Sequence, residues 1–418
     1  MFALVDGNAF YCSCEQVFSP ELRGKPLVVL SNNDGCAIAR TDEAKALGIR
    51  MGHPAFELRE LERRRGLKMR SANFALYGDM SARMVTILRE AAPRVEVYSI
   101  DESFLDLAGV SDRDRERLTV DLRAKLLRWI GIPTCIGIGP TKTLAKLANK
   151  AAKKGLGIVD VTDPSDRRAV LDRFPVADVW GVGRRWAAKL GELGVSTAAH
   201  LRDAPPDLIL QRFGIVLSRT QRELQGLSCS NVQEVEPDRQ QIMVSRSFGA
   251  RVKDHAEIAE AIATFTERAA AKMRRRGLVC AAIAIHAESD VFRPELPQHH
   301  PSRSMNLPGA TGDTSLLLAA SRRMLCGLLR EGIEYRRAGV VLLDLARPEA
   351  LQHDLFSPGT IGNASLMTAV DAINARFGRQ AVGFGATGWR SAPAWAMRQA
   401  LRSPRYTTRA DELPSLQC

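Results

Sequence analysis

The chain opens on an apolar run, Phe2 to Val5, that stops at Asp6 and gives way to Asn8, Ala9, Phe10 and Tyr11. A run this short, followed at once by a polar turn, predicts a buried strand that delivers a carboxylate to its own end. Further on, PRVEVYSIDESFLDLAGV predicts two strands meeting at Asp101 and Glu102, with β-branched and aromatic residues on both sides. A third strand, around Cys135 to Ile138, ends at Gly139 and Pro140 and opens the helix TKTLAKLANKAAKK. Leu144, Leu147, Ala148 and Ala151 recur at i, i+3, i+4 and i+7 and define its buried face. Lys142, Lys146, Lys150 and Lys153 form an opposite, basic face, and Gly155 is placed to stop the helix.

Beyond Pro164 the pattern changes. DPSDRR interrupts it, and VWGVGRRWAAKLGELGV sets Gly181 and Gly183 before a helical run that ends at Gly194. A polar stretch from Glu234 to Arg239, with Pro237, marks another boundary. After it, the helical EIAEAIATFTERAAAKMRRR alternates with the strand-like VCAAIAIHAES and AGVVLLDLA, which predicts a small α+β domain. From about residue 346 the chain reads as a tail with short motifs. At 418 residues it exceeds one ordinary core and should divide into about three domains.

Composition changes this picture in one respect. Lys and Arg number 59 against 47 Asp and Glu, a net charge of +12, which favours a polyanionic partner, nucleic acid before membrane. No apolar run approaches the roughly 18 residues needed to span a bilayer, and the N-terminus has no basic segment ahead of its apolar run. No membrane association and a cytoplasmic location are therefore expected. The 8 cysteines are scattered and never form C-x-x-C, so neither a disulfide framework nor a zinc site is expected.

The chemistry lies in the strand-end acids. Joining a nucleotide to a primer is an in-line attack on phosphate, in which two divalent ions activate the attacking oxygen and steady the leaving one. Magnesium prefers oxygen ligands, and Asp6, Asp101 and Glu102 at converging strand ends supply them. The residues alone leave two rivals: a nucleotide cyclase, and a non-catalytic DNA-binding subunit with a dead palm. DNA-dependent activity separates the first, and magnesium binding the second.

DGNAFYCSCE, YSIDESF and GPTKTLAKLANKAAKK resemble the Y-family DNA polymerases, and LSNNDGCAIARTDEAKALGIRMG, VWGVGRR, SRSFG and SPRYTTR resemble the UmuC subfamily within it. The resemblance runs nearly end to end. It implies an α+β right-hand polymerase: palm and fingers over 1–165 (fingers about 20–75), a helical thumb with a helix-hairpin-helix over 166–235, a little finger over 236–346, and a C-terminal tail over 347–418. The implied function is error-prone translesion synthesis in SOS mutagenesis and damage tolerance, with two Mg2+ ions as cofactors.

Residue by residue, the resemblance makes Asp6, Asp101 and Glu102 the catalytic metal ligands, with the carbonyl of Gly7 as a further ligand. Phe10 and Tyr11 fall at the nucleotide, Tyr11 as a steric gate whose ring leaves no room for a 2′-hydroxyl. Arg40, Lys45 and Lys146 become nucleotide-binding cations. The family's Y-x-A-R stands here as Asp42, Glu43, Ala44 and Lys45, so Lys45 is expected to act as a point charge rather than a fork. Gly35, Cys36, Ala37 and Ile38 correspond to a thin roof over the nascent base pair. Gly181, Gly183, Arg184 and Arg185 correspond to a hairpin gripping DNA phosphates, and Arg246, Arg251 and Lys253 add phosphate contacts. Gln352, His353, Asp354, Leu355 and Phe356 resemble a sliding-clamp-binding peptide, with His353 where the family often has leucine. The implied partners are primer-template DNA, deoxynucleoside triphosphates, a processed UmuD-type dimer, a RecA filament and the sliding clamp.

Overall fold

The opening apolar run forms β1 (Phe2–Gly7), buried along its whole length. It is followed by α1 (Phe10–Phe18), β2 (Leu27–Leu30), β3 (Ala37–Arg40), α2 (Asp42–Ala46), α3 (Ala55–Arg65), β4 (Lys68–Ser71) and α4 (Phe74–Ala91). Next come β5 (Val95–Val97), β6 (Glu102–Asp106), α5 (Asp112–Ile130), β7 (Thr134–Gly139), α6 (Lys142–Ala152) and β8 (Ile158–Asp160). The computed structural model describes the chain except for residues 156, 234–237, 352–359, 379–380, 388–392, 394 and 414–418. It divides into two compact units, one of Met1–Ser31, Gly35–Glu236 and Leu401–Cys418, the other of Asn32–Asp34 and Pro237–Ala400.

In the first unit, one sheet has the order β5-β6-β1-β7-β8, antiparallel except for the β7–β8 pair. The two-residue period of β1 sorts its side chains between two layers. Ala3 and Val5 enter a core with residues of α1, α4 and α5, such as Tyr77, Met84 and Leu126. Phe2 and Leu4 point the other way, to Phe104 and to Ala145 of α6. Asp6 continues the Phe2–Leu4 face, which is why it meets α6 and not the other core. A second, smaller sheet, β3-β2-β4, carries α2 and α3 over its own cluster around Leu30, Ile49 and Leu58.

The outer side of α6, through Leu144, Leu147 and Ala148, joins a helical cluster. This cluster is built from α7 (Pro164–Arg173), α8 (Arg184–Gly191), α9 (Ala198–Asp203) and α10 (Pro206–Leu224), the last broken at Gly214 (φ 80°). The helix α6 is thus buried on two sides, and each of its four lysines is paired with an acid. Lys142 is 3% exposed and pairs with Glu96 at 2.5 Å, Lys146 pairs with Glu102, Lys150 with Asp178 and Lys153 with Asp6. At the helix start Thr141 accepts the N–H of Leu144, and the Glu223 carboxylate accepts the N–H of Thr143 at 3.0 Å. An acid at the N-terminus and lysines at the C-terminus both suit the helix dipole.

The second unit holds β9 (Ile242–Val252), α11 (His255–Arg274), β10 (Val279–Ser289), β11 (Ser302–Thr311), α12 (Thr314–Leu325), β12 (Tyr335–Ala346), β13 (Thr360–Ile361) and α13 (Ala364–Phe377). Its sheet runs β13-β11-β10-β12-β9, and α11 and α12 bury Phe265, Met273 and Leu317 against Ile283 and Val340. The described residues from 347 onward, expected as a tail, make specific contacts with the fold. Within this unit the Arg274 guanidinium of α11 grips Asp371 of α13 with two bonds of 2.7 Å, and Trp395 packs edge-on to Phe265. Residues 401–413 belong to the first unit. The reason is chemical: the segment carries Tyr406, whose ring stacks on Phe18, and Ser403, buried and bonded to Asn73 and Glu15, contacts that a solvated tail does not make. No helix among the described residues is long and apolar enough to cross a membrane.

Candidate active site

Asp6 and Glu102 are register partners in the β1–β6 pair, so their side chains leave the sheet on the same face. Asp101 precedes β6 in the turn from β5, where its carbonyl accepts the N–H of Gly7 at 2.9 Å. The connection from β1 to α1 is tight enough to hold Ala9 in the left-handed region, φ 44°, a conformation costing an alanine about 1–2 kcal/mol. It brings Tyr11 to the same mouth. Asp6, Gly7, Phe10, Tyr11, Arg40, Lys45, Asp101 and Lys153 all line one pocket of about 350 Å3. A larger hollow of about 1040 Å3 between α5 and β8 holds none of these groups; its Arg115 is already paired with Asp112 and Asp160.

Each acid is engaged. Lys153 Nζ lies 2.6 Å from Asp6 Oδ2, Lys146 Nζ lies 2.7 Å from Glu102 Oε2, and Ser99 Oγ donates to Asp101 Oδ1 at 2.6 Å. Among the described residues no three acidic, histidine or cysteine side chains converge into a ready-made metal cage. Burial pushes the Asp6 carboxyl up to about 7, against the pull of the Lys153 ammonium, and the charges of Glu102 and Asp101 push in the same direction as burial. A carboxylate in this position is an anion short of positive charge, and a hard divalent ion is the partner that oxygen donors of this kind fit. Such an ion would meet the Lys153 and Lys146 ammoniums already on Asp6 and Glu102.

Tyr11 stacks on Tyr77 with centroids 4.6 Å apart and planes at 16°, and meets Phe74 edge-on at 5.9 Å and Phe10 at 6.1 Å. Its ring is fixed by packing. Arg40 donates to the carbonyl of Ile49 at 2.8 Å, and its Nε is buried without a partner. Lys45, half exposed, pairs with Asp42 at 2.7 Å. Lys146 does not line the pocket; it sits over the Tyr98 ring at 4.3 Å and the Trp180 ring at 5.5 Å. Lys153, two helical turns on, does line it. Sequence reasoning placed Lys153 on the basic face without a role, although its i+7 spacing from Lys146 was the available signal.

Other expected residues lie elsewhere. Of the roof residues, Ile38 lines the pocket; Gly35, Cys36 and Ala37 do not. Gly181 (φ 89°) and Gly183 precede α8, whose Arg184 and Arg185 are exposed, in the helical cluster of the first unit. Arg246 is exposed on β9 of the second unit, while Arg251 and Lys253 share Glu334. Gln352, His353, Asp354, Leu355 and Phe356 lie outside the described residues.

Comparison with known proteins supplies the family. The model of the impB/mucB/samB family matches residues 5–150, that of its C-terminal domain 239–355, and a domain of unknown function (DUF4113) 364–416. Protein UmuC of Salmonella typhimurium is 43% identical over 99% of both chains. The chain belongs to the UmuC family of Y-family DNA polymerases. Protein ImpB of Salmonella typhimurium is 40% identical over 99% of both chains, and DNA polymerase IV of Moorella thermoacetica 31% identical over 91% of this chain and 94% of its own. The fold is that of the right-hand polymerases. A Y-family DNA polymerase chimera, Dbh-Dpo4(243-245)-Dbh, superposes with a TM-score of 0.69 at 21% identity, covering 82% of this chain and 99% of the chimera. As a member of this family the chain is an error-prone translesion DNA polymerase of SOS mutagenesis, a DNA-directed enzyme that binds DNA and nucleotide.

Proposed function

We propose that Asp6, Asp101 and Glu102, with the carbonyl of Gly7, hold two Mg2+ ions and that Tyr11, Phe10, Arg40, Lys45 and Lys146 receive the incoming nucleotide. The observation that carries this reading is the register pairing of Asp6 with Glu102 beside the pocket shared by Asp101, Tyr11, Arg40 and Lys45. When bound, the ions supply activation of the primer hydroxyl and charge neutralisation at the leaving phosphate. The chain does the positioning. The sheet fixes the acids, since β1 is hydrogen-bonded on both edges. Lys146 and Lys153, paired here with Glu102 and Asp6, would serve as cations for the triphosphate where those carboxylates hold metal. The packed Tyr11 ring excludes a ribose 2′-hydroxyl.

In the same reading the β3-β2-β4 sheet with α2 and α3 serves as the fingers, α7 to α10 as the thumb, and β9 to β12 with α11 and α12 as the little finger. Gly181, Gly183 and Arg184 grip DNA through a helix start, and Arg246 adds a contact. Gln352, Leu355 and Phe356 dock on the sliding clamp, and a processed UmuD-type dimer and a RecA filament are the further partners, in the cytoplasm. These assignments rest on membership of the family.

A magnesium titration followed by thermal melting tests the metal site without turnover. The intact chain should gain stability with Mg2+ as the free ion exceeds its Kd, and Asp6→Asn should gain none. An equal gain in both overturns the assignment.

A further inference from the structure

Behind Tyr11 lies a second layer that the polymerase reaction does not by itself require. Tyr77, on which the Tyr11 ring stacks, is fully buried, and its hydroxyl donates to Glu15 Oε1 at 2.7 Å. Glu15 is 1% exposed and lies one turn along α1 from Tyr11. Its Oε1 accepts a second bond, from Ser403 Oγ at 3.0 Å, while its Oε2 has no partner. Ser403 stands near the C-terminus, 388 residues from Glu15.

The segment around Ser403 is strapped down at every step. Leu401 and Ser71 exchange two bonds, backbone N–H of Ser71 to Leu401 O at 3.1 Å and Leu401 N–H to Ser71 Oγ at 2.9 Å. The Asn73 amide donates to Ser403 O, Ser403 Oγ and Pro404 O at 3.0, 3.0 and 3.1 Å, while its own oxygen caps α4 at Leu76 N. Tyr406 stacks on Phe18 of α1, centroids 4.9 Å apart and planes at 9°. The strap therefore holds both helices that frame the gate: α1, which bears Tyr11 and Glu15, and the start of α4, which bears Tyr77.

Since Asn73 donates to Ser403 Oγ, the Ser403 hydroxyl proton is directed at Glu15. A buried carboxylate needs such donors, and losing one leaves the remaining charge poorly satisfied. We propose that Ser403 and its strap are a positioning device for the steric gate: through Glu15 and Tyr77 they set the plane of the Tyr11 ring and hence how strictly the enzyme refuses ribonucleotides. The proposal rests on the reading of Tyr11 as the gate. It gives residues 401–406, within the domain of unknown function, a task in substrate selection.

The test is the ratio of kcat/KM for a deoxynucleotide to that for its ribonucleotide, measured on the full-length chain for Ser403→Ala, Tyr77→Phe, Tyr11→Ala and the double variant Tyr11→Ala/Ser403→Ala. Ser403→Ala and Tyr77→Phe should each lower the ratio by about three- to tenfold, the effect of one buried hydrogen bond, and Ser403→Thr should restore it. In the Tyr11→Ala background, removing the Ser403 hydroxyl should change the ratio no further. If Tyr11→Ala leaves the ratio intact, the gate reading itself fails. If Tyr11→Ala relaxes it while Ser403→Ala and Tyr77→Phe, both folded by circular dichroism, do not, the strap proposal is overturned. A fall in the rate for both sugars with an unchanged ratio also overturns it, since that marks a purely structural role.

Discussion

Gly137→Ala is the smallest change that should dislocate the site. Gly137 lies in β7, opposite Leu4 of β1 and under α6. A Cβ there would fall 2.0 Å from Asn149 N, 2.3 Å from Ala145 O and 2.6 Å from Asn149 Cα, all backbone atoms of α6. Ordinary contacts between such atoms lie at about 3.5–4.0 Å, so the helix must retreat from the sheet by more than an ångström. The Asn149 amide would then lose its bonds to Leu4 O at 3.3 Å and Cys135 O at 2.8 Å. Lys146 and Lys153 ride on the same helix and would draw away from Glu102 and Asp6. Overpacking costs about 1–3 kcal/mol, and each of the two lost hydrogen bonds about 1 kcal/mol, for a total of roughly 3–5 kcal/mol. A displacement of about 1 Å at the reacting groups lowers kcat/KM by about a hundredfold. Urea unfolding and single-nucleotide insertion kinetics read the two effects separately. Gly139→Ala provides the comparison: its Cβ would approach Ala145 N and Leu144 Cβ only to 3.0 Å, so its losses should be clearly smaller. Wild-type stability and kcat/KM in Gly137→Ala, or a reversed order of the two variants, would refute the reasoning.

Tyr11→Ala should admit ribonucleotides with little loss of deoxynucleotide insertion; unchanged sugar selection in a steady-state assay counts against the gate. Arg184→Ala with Arg185→Ala should weaken DNA binding without altering template preference, and should reduce the slope of log K against log salt by about 1–2; an unaltered slope in fluorescence anisotropy removes these residues from the DNA grip. Thiol labelling of the native chain at pH 8 should modify exposed Cys326 and spare Cys12 and Cys14, which are buried and whose thiols burial pushes up, that of Cys12 to about 12. Rapid native-state labelling of Cys12 or Cys14, read by mass spectrometry, would contradict their burial in the core of the first unit.

Much of this was legible in the residues, for physical reasons that differ by element. β1 and β6 could be read because short apolar runs end abruptly at Asp6 and start at Glu102, and a strand's reach is local. The side of α6 that meets the helical cluster could be read from Leu144, Leu147 and Ala148, whose spacing is fixed by helix geometry. The fate of its lysines could not: Lys142 is buried because Glu96 waits on β5, and no local pattern carries a partner 46 residues away. β9 and β11 were invisible as strands, since SRSFGARV and SRSMNLPGAT mix charged, small and proline residues that one face leaves to solvent. Residues 401–413 were read as tail because their value lies in tertiary bonds from Asn73 and to Glu15, with no periodicity of their own.

Primer extension with Mg2+ on an undamaged and an abasic template, with a processed UmuD-type dimer and RecA filament supplied, should be compared for the intact chain and Asp101→Ala. The intact chain should extend the primer and pass the abasic site, and Asp101→Ala, still folded and still bound to DNA, should do neither. Extension by Asp101→Ala at the rate of the intact chain would contradict the placement of catalysis at Asp6, Asp101 and Glu102.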